Sequence, residues 1–412
     1  MADSRIFPEI GERAGPDGVF GMTLEMKRPA RLDGMAGIGV DRMGALADAA
    51  GKRDILRFEN LDTDLPPPEV AMRITGEAAR SDEDNSYLPF VGQVELRRAV
   101  ARHVGALAGV AYDENQVLIS AGGLSGILNV LLALVETGDE VVLTDPTYSG
   151  LLNRVRLAGG VPRLVPLLPS PAGWTLDRDA LHKAVGKRTR LLLLMSPAMP
   201  SGAVLERADW EAVAEAAAAA DALLLYDAAM ERILYDGRAP LHPASVDGLA
   251  ERTITVGAAS KELRMIGWRV GWIVAPQALI PDLALVNLSN VVVPVGIAQR
   301  AAAAALRLPA DDVRSAVAEW ERRRDALLAE LAGLPVVKPA GGWSMLLHTA
   351  ALGCSGAEAS KRLFENAGVA ATPMDGWGER HGAGWLRFVF ANEPVDRIRG
   401  CGARIRAALG VK

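Results

Sequence analysis

The chain has 412 residues, half of them hydrophobic and 23% charged, which is too apolar for a disordered or collagen-like chain. Its 45 Lys and Arg against 50 Asp and Glu leave a net charge of −5, which argues against nucleic acid or an anionic membrane as a partner. At this length two domains, or one large α/β unit with an appendage, are expected.

Taken in order, the first sixty residues are weakly periodic and predict an arm with one helix over 41–50. No apolar stretch follows a basic start, so no secretory signal is expected. Leu65-Pro66-Pro67-Pro68 then excludes helix. Beyond it, short apolar runs at 116–120, 141–144, 191–195, 223–226, 253–256 and 271–274 alternate with helical patterns such as 124–135 and 208–220. Runs that are apolar throughout imply burial on both faces, and strand–helix alternation implies a mostly parallel sheet. The longest apolar segment, near 212–226, is broken by Glu215 and Asp221 and is not a membrane span.

After Pro294 come an Ala-rich stretch and a charged helix over 315–331, a natural connector. Strands at 336–338, 344–347 and 385–390, with helices between, make the tail an α+β unit. Cys354 and Cys401 form no C-x-x-C pair and favour a reduced, cytoplasmic setting. His103, His182, His242, His348 and His381 lack metal-ligand spacing and read as surface or satisfied core residues.

In open parallel sheets ligands gather at the carboxyl ends of the strands, so the residues after each run carry the functional signal. Ala121-Gly122-Gly123-Leu124 opens a helix and suits an anion, although a tight turn wants glycine equally. Tyr148 follows the second run, as a ring platform or an ordinary turn residue. Asp227 ends the fourth run, and a buried carboxylate calls for a cation. Lys261 follows the fifth: burial would free its lone pair as a nucleophile, though a lone lysine there is more often solvated. Arg269, eight residues on, offers a fixed guanidinium. Together these describe a ligand with a phosphate, a flat ring, a basic ring nitrogen and an aldehyde, and pyridoxal 5′-phosphate (PLP) has all four.

Ser260-Lys261 with Gly267-Trp268-Arg269-Val270-Gly271 closely matches the signature of class I/II aminotransferases of PLP fold type I, and the chain resembles that family over nearly its whole length. Asn85 to Gly92, containing Tyr87, with Glu95-Leu96-Arg97 resembles another family segment. Trp385-Leu386-Arg387-Phe388 falls where the family carries its substrate-carboxylate arginine. The resemblance implies a three-layer αβα large domain over 63–300. It also implies a smaller α+β domain built from the N-terminal arm (1–62) and the C-terminal segment (301–412). It implies that Lys261 forms an internal aldimine and shuttles a proton, that Asp227 keeps the pyridine nitrogen protonated, and that Tyr148 stacks on the ring. Gly122, Gly123, Leu124 and Arg269 would hold the phosphate. Tyr87 would reach the phosphate of a neighbouring subunit in a homodimer, and Arg387 would bind the substrate carboxylate.

Four positions depart from the family. Met199, in Ser196-Pro197-Ala198-Met199-Pro200, stands where an asparagine donates to the cofactor's phenolic oxygen, and Met230 replaces the tyrosine that is the second donor. Ala258 replaces a phosphate-binding serine, and Leu61 a glycine set against the substrate. No arginine lies between Val286 and Ile297, and Asn287 falls near the place where dicarboxylate-specific relatives have one. Arg28, Arg31, Arg42 and Arg264 read as solvated surface charges, while Trp343 and Trp377 read equally as pocket walls or core. The expected activity is transfer of the α-amino group of an amino acid to a 2-oxo acid. The alternative is another PLP reaction on the same fold: elimination, replacement, cyclisation, decarboxylation or oxidation. A PLP-sensing regulator is disfavoured because the arm is too short for a DNA-binding helix pair.

Overall fold

The computed structural model describes residues 29–32, 34, 35, 37, 39–51 and 54–411. Arg28 and most of the expected N-terminal arm lie outside the described residues. The strands are β1 (Leu56–Phe58), β2 (Val117–Ser120), β3 (Glu140–Asp145), β4 (Val161–Ser170), β5 (Gly173–Leu176), β6 (Thr189–Met195), β7 (Leu223–Asp227), β8 (Thr253–Ala258), β9 (Gly271–Val274), β10 (Val336–Val337), β11 (Ser344–His348), β12 (Val369–Pro373) and β13 (Trp385–Val389).

Two sheets result. The larger has the order β2-β9-β8-β7-β6-β3-β4-β5, and the smaller β1-β12-β13-β11-β10. In the larger sheet β8, β7, β6, β3 and β4 run parallel, while β9 is antiparallel to both its neighbours and β5 turns back along β4. The mixed, mostly parallel α/β sheet therefore matches the expectation. Alternation along β6 shows why its run is apolar throughout: Leu191 and Leu193 pack into one buried cluster, Leu192 and Leu194 into another on the opposite face. Each such leucine contributes about 1.5–3 kcal/mol on burial, so the centre of the sheet is a rigid platform.

The helix expected at 41–50 is Val40–Ala49, those at 124–135 and 208–220 are Gly123–Leu134 and Arg207–Ala220, and the charged helix begins earlier than expected, as Asp311–Glu330. Four hydrogen-bonded strands, β1, β4, β5 and β12, were not anticipated. β4 carries Pro162, Pro166 and Pro169, which remove ladder donors and hide the strand pattern. β1 is only three residues long and pairs in parallel with β12, more than 300 residues away, so the segment before the prolines completes the smaller sheet.

Candidate active site

The carboxyl ends of β2, β6, β7 and β8, with segments from the smaller sheet, enclose a cleft of about 310 Å³. Its lining includes Leu61, Gly123, Leu124, Tyr148, Met199, Asp227, Met230, Lys261, Arg269 and Arg387, drawn from across the chain.

One end is a cradle. Gly122 has φ +87° and caps the helix Gly123–Leu134 without a side-chain hydrogen bond, leaving first-turn N–H groups without a capping side chain. A Cβ on Gly122 would sit 2.7 Å from Arg269 Nη2, so glycine lets the guanidinium lie against the backbone. Arg269 donates from Nη1 to the Ile266 carbonyl at 2.9 Å. Gly271 packs on the same turn, where its Cβ would meet the Gly122 carbonyl carbon at 2.5 Å. Arg154 braces the helix by donating to the carbonyls of Leu124 (3.0 Å) and Gly150 (2.8 Å), a tie that its position in the sequence does not announce.

In the middle, Asp227 ends β7 and accepts from the Ala229 N–H at 3.1 Å; burial pushes its carboxyl up to about 6. Lys261 donates to the Leu61 carbonyl at 2.8 Å, and its Nζ lies 4.9 Å from the centre of the Trp343 ring. Burial first, then the cations Arg387 and Arg269, bring its ammonium down to about 8, against the opposing pull of Asp62 and Asp227. The Leu61 contact is made by backbone, which no residue pattern reveals. Tyr148 sits in the lining because Gly150 lacks a Cβ, which would come 2.4 Å from the tyrosine ring; its ring meets Trp377 edge-on at 5.5 Å.

Arg387, from β13 of the smaller sheet, is fully buried. Its Nη2 donates to the Glu59 carbonyl and to Thr372 Oγ1 (3.2 Å), and Nη1 approaches Met199 Sδ at 3.9 Å. Its Nε has no partner among the described residues, and the guanidinium lies 4.9 Å from the centre of the Trp377 ring. Burial lowers its pKa to about 10. Trp343 and Trp377 are fully buried and back the site from behind its lining. Val40, Asp41, Asn60, Met195 and Ile266 also line the cleft and were not singled out from sequence.

Three further residues singled out from sequence lie outside this cleft. Tyr87 does not line the cleft of its own chain and is 86% exposed. Arg264 is not a solvated charge: it is buried, binds both oxygens of Asp312 (2.8 and 2.9 Å) and donates to the Pro66 carbonyl. Asn287 is buried and accepts from Asn129 at 2.8 Å.

These residues fit the cofactor inferred from them. The open helix start with Arg269 suits a phosphate, the buried carboxyl suits a cationic ring nitrogen, and a partly neutral buried amine suits an aldehyde. The fold and cleft thus define a PLP enzyme of fold type I. Residues 56–401 match the model of aminotransferase class I and II, and the chain belongs to that family of PLP-dependent amino-acid aminotransferases. It is 32% identical to an aspartate aminotransferase of Pyrococcus abyssi, over 85% of this chain and 92% of that one. It is 37% identical to a probable N-succinyldiaminopimelate aminotransferase of Mycobacterium tuberculosis, over 76% and 79% of the two chains. The solved structure of N-succinyldiaminopimelate aminotransferase from that organism superposes with a TM-score of 0.86 at 32% identity, covering 93% of this chain and all of the other.

Proposed function

We propose that Lys261 is the residue that joins the cofactor and moves the proton of the reaction, and that Arg387 selects the amino acid by its carboxylate. The observation that carries this reading is the buried Lys261 amine, brought down to about 8 in the same cleft as Asp227 and the Gly122–Arg269 cradle. When bound, PLP supplies an electron sink for charge at the substrate's Cα. Asp227 would hold the ring nitrogen in its protonated form. Gly122, Gly123, Leu124 and Arg269 hold the phosphate through backbone N–H groups and the guanidinium. Tyr148 covers the ring. Lys261 Nζ would take the proton from the amino acid's Cα and deliver it to the cofactor carbon that carried the aldehyde, the transfer that moves the amino group. The unpartnered Nε of Arg387 has hydrogen-bonding capacity to spare for a carboxylate.

The substrate side chain meets Val40, Leu61 and Ile266, and Asn287 is turned into the core, which supports an amino acid whose side chain is not a short acid. A homodimer is supported by exposed apolar residues on neighbouring segments: Tyr87, Phe90, Leu285, Val292 and Val295. Asn287 Nδ2 reaches the Phe90 carbonyl, and Gly296 packs so closely that a Cβ would meet Leu88, so these segments adjoin. In such a dimer Tyr87 reaches the partner's cleft. Two buried unpaired cysteines, Cys354 and Cys401, support a reducing, cytoplasmic setting.

The test is to add amino acids singly to the cofactor-loaded protein, follow its visible spectrum, and measure ketoacid with and without a 2-oxo acid acceptor. Sustained ketoacid production only with acceptor is expected. Sustained production without acceptor would favour elimination or oxidation, the reading toward which the methionines of the cleft point.

A further inference from the structure

The end of the cleft away from the cradle has a composition that the proposed reading leaves unused. Along the edge of the larger sheet the order runs from β2, followed by Gly122–Gly123, and β9, preceded by the Arg269 turn, through β8 and β7, to β6. Lys261 follows β8 and Asp227 ends β7. Met195 ends β6 directly beside Asp227 in the ladder, Met199 follows four residues later, and Met230 follows β7. All three methionines line the cleft; Met199 is 7% and Met230 2% exposed. None of these side chains has an N–H or O–H to donate.

On the pyridine ring of PLP the phosphate arm and the phenolic oxygen flank the aldehyde on opposite sides. A phosphate at the β2–β9 end and an aldehyde at Lys261 turn that oxygen toward β7 and β6. We propose that Met195, Met199 and Met230 form a donor-free wall against the phenolic oxygen, leaving it to be stabilised by the proton it shares with the Lys261 nitrogen. This rests on the proposed roles of Lys261 and the cradle and adds a chemical consequence to them. An anionic oxygen without donors holds the shared proton more strongly, so the proton leaves at higher pH than it would beside an amide or phenol. Met199 occupies a second position of consequence. Its sulfur lies 3.9 Å from Arg387 Nη1, so an amide at 199 would accept from the arginine while donating into the cleft.

The charged and titratable groups facing this proton come from several elements. On the Lys261 ammonium Asp62 and Asp227 favour the proton and Arg387 and Arg269 oppose it, and Tyr148 and Asp41 also line the cleft. None of them changes in the variants that test the wall.

The experiment titrates the visible absorbance of cofactor-loaded protein with pH for the unaltered chain, Met199→Asn, Met230→Tyr, the double variant and Met199→Leu. Each restored donor is expected to lower the midpoint by about one to two pH units, since a hydrogen bond to a charged acceptor is of that size. Met199→Leu, with similar bulk and no donor, keeps the midpoint of the unaltered protein. If Met230→Tyr fails to fold, Met199→Asn against Met199→Leu decides. Equal midpoints in all variants would overturn the wall and show that another group, such as the Tyr148 hydroxyl, serves the oxygen. An equal shift in the Leu variant would overturn it as well. A protein that takes up no PLP and shows no visible band would overturn the underlying reading instead, so the two failures are distinguishable.

Discussion

The two ends of the cleft are built from different chemistry. At the cradle end, backbone amides, two glycines with no room for a Cβ and a guanidinium converge, and every part suits a dianion. At the far end, three thioethers line the cleft, and none of them has an N–H or O–H to donate. On the proposed reading the first end would fix where a cofactor sits, through charge and backbone geometry that tolerate little change. The second end would set how the cofactor's electrons are held, through side chains that alter reactivity while the fold stays the same. On this reading anchoring and reaction control are separable in this molecule, and substitutions should separate them.

The largest effect is expected at the boundary between the ends. Lys261→Ala removes both the attachment and the proton carrier, and turnover should fall by about 10⁴-fold or more, measured as ketoacid production with saturating cofactor. At the cradle, Arg269→Ala or Gly122→Ala should weaken cofactor binding by about 10- to 100-fold, read by spectroscopic titration. Gly122→Ala suffers twice, from its φ of +87° and from the approach of Arg269. A far-end change such as Met199→Leu should leave cofactor affinity nearly unchanged, which sharpens the contrast.

Between these extremes lies a stability effect with a definite pH window. Burial raises the Asp227 pKa from 3.8 to about 6, so the folded apoprotein holds this proton more tightly than the unfolded chain. Stability from this group is fully present below about pH 4 and is lost as pH rises to about 6, a difference of about 3 kcal/mol. Asp227→Asn should therefore raise the apoprotein's melting temperature above pH 6 and leave it little changed near pH 4, while impairing catalysis in the loaded protein. A melting temperature that rose equally at both values would show that the carboxyl is not penalised by burial. The smallest effect is expected from Met199→Leu on folding, below about 1.5 kcal/mol by chemical denaturation, because volume and burial are kept.

Much of the frame was legible because parallel strands buried on both faces leave continuous apolar runs, and because β7 and β8 end on Asp227 and lead to Lys261 within a few residues. What stayed hidden depends on partners distant in sequence. β4 conceals itself behind prolines, and β1 has meaning only beside β12. Arg264 looked like a surface charge because Asp312, its ion-pair partner, lies 48 residues away. The Leu61 carbonyl that receives Lys261 belongs to backbone brought from 200 residues upstream, and no side-chain pattern encodes it. Met199 and Met230 were visible as unusual residues, but their convergence with Met195 on one end of one cleft needed the sheet order.

The most direct measurement is borohydride reduction of the cofactor-loaded protein, followed by digestion and peptide mass mapping. A single pyridoxyl adduct on the peptide containing Lys261, absent from Lys261→Ala, is the predicted result. An adduct on another lysine, or none in a protein that has bound the cofactor, would contradict the placement of the reacting amine in this cleft.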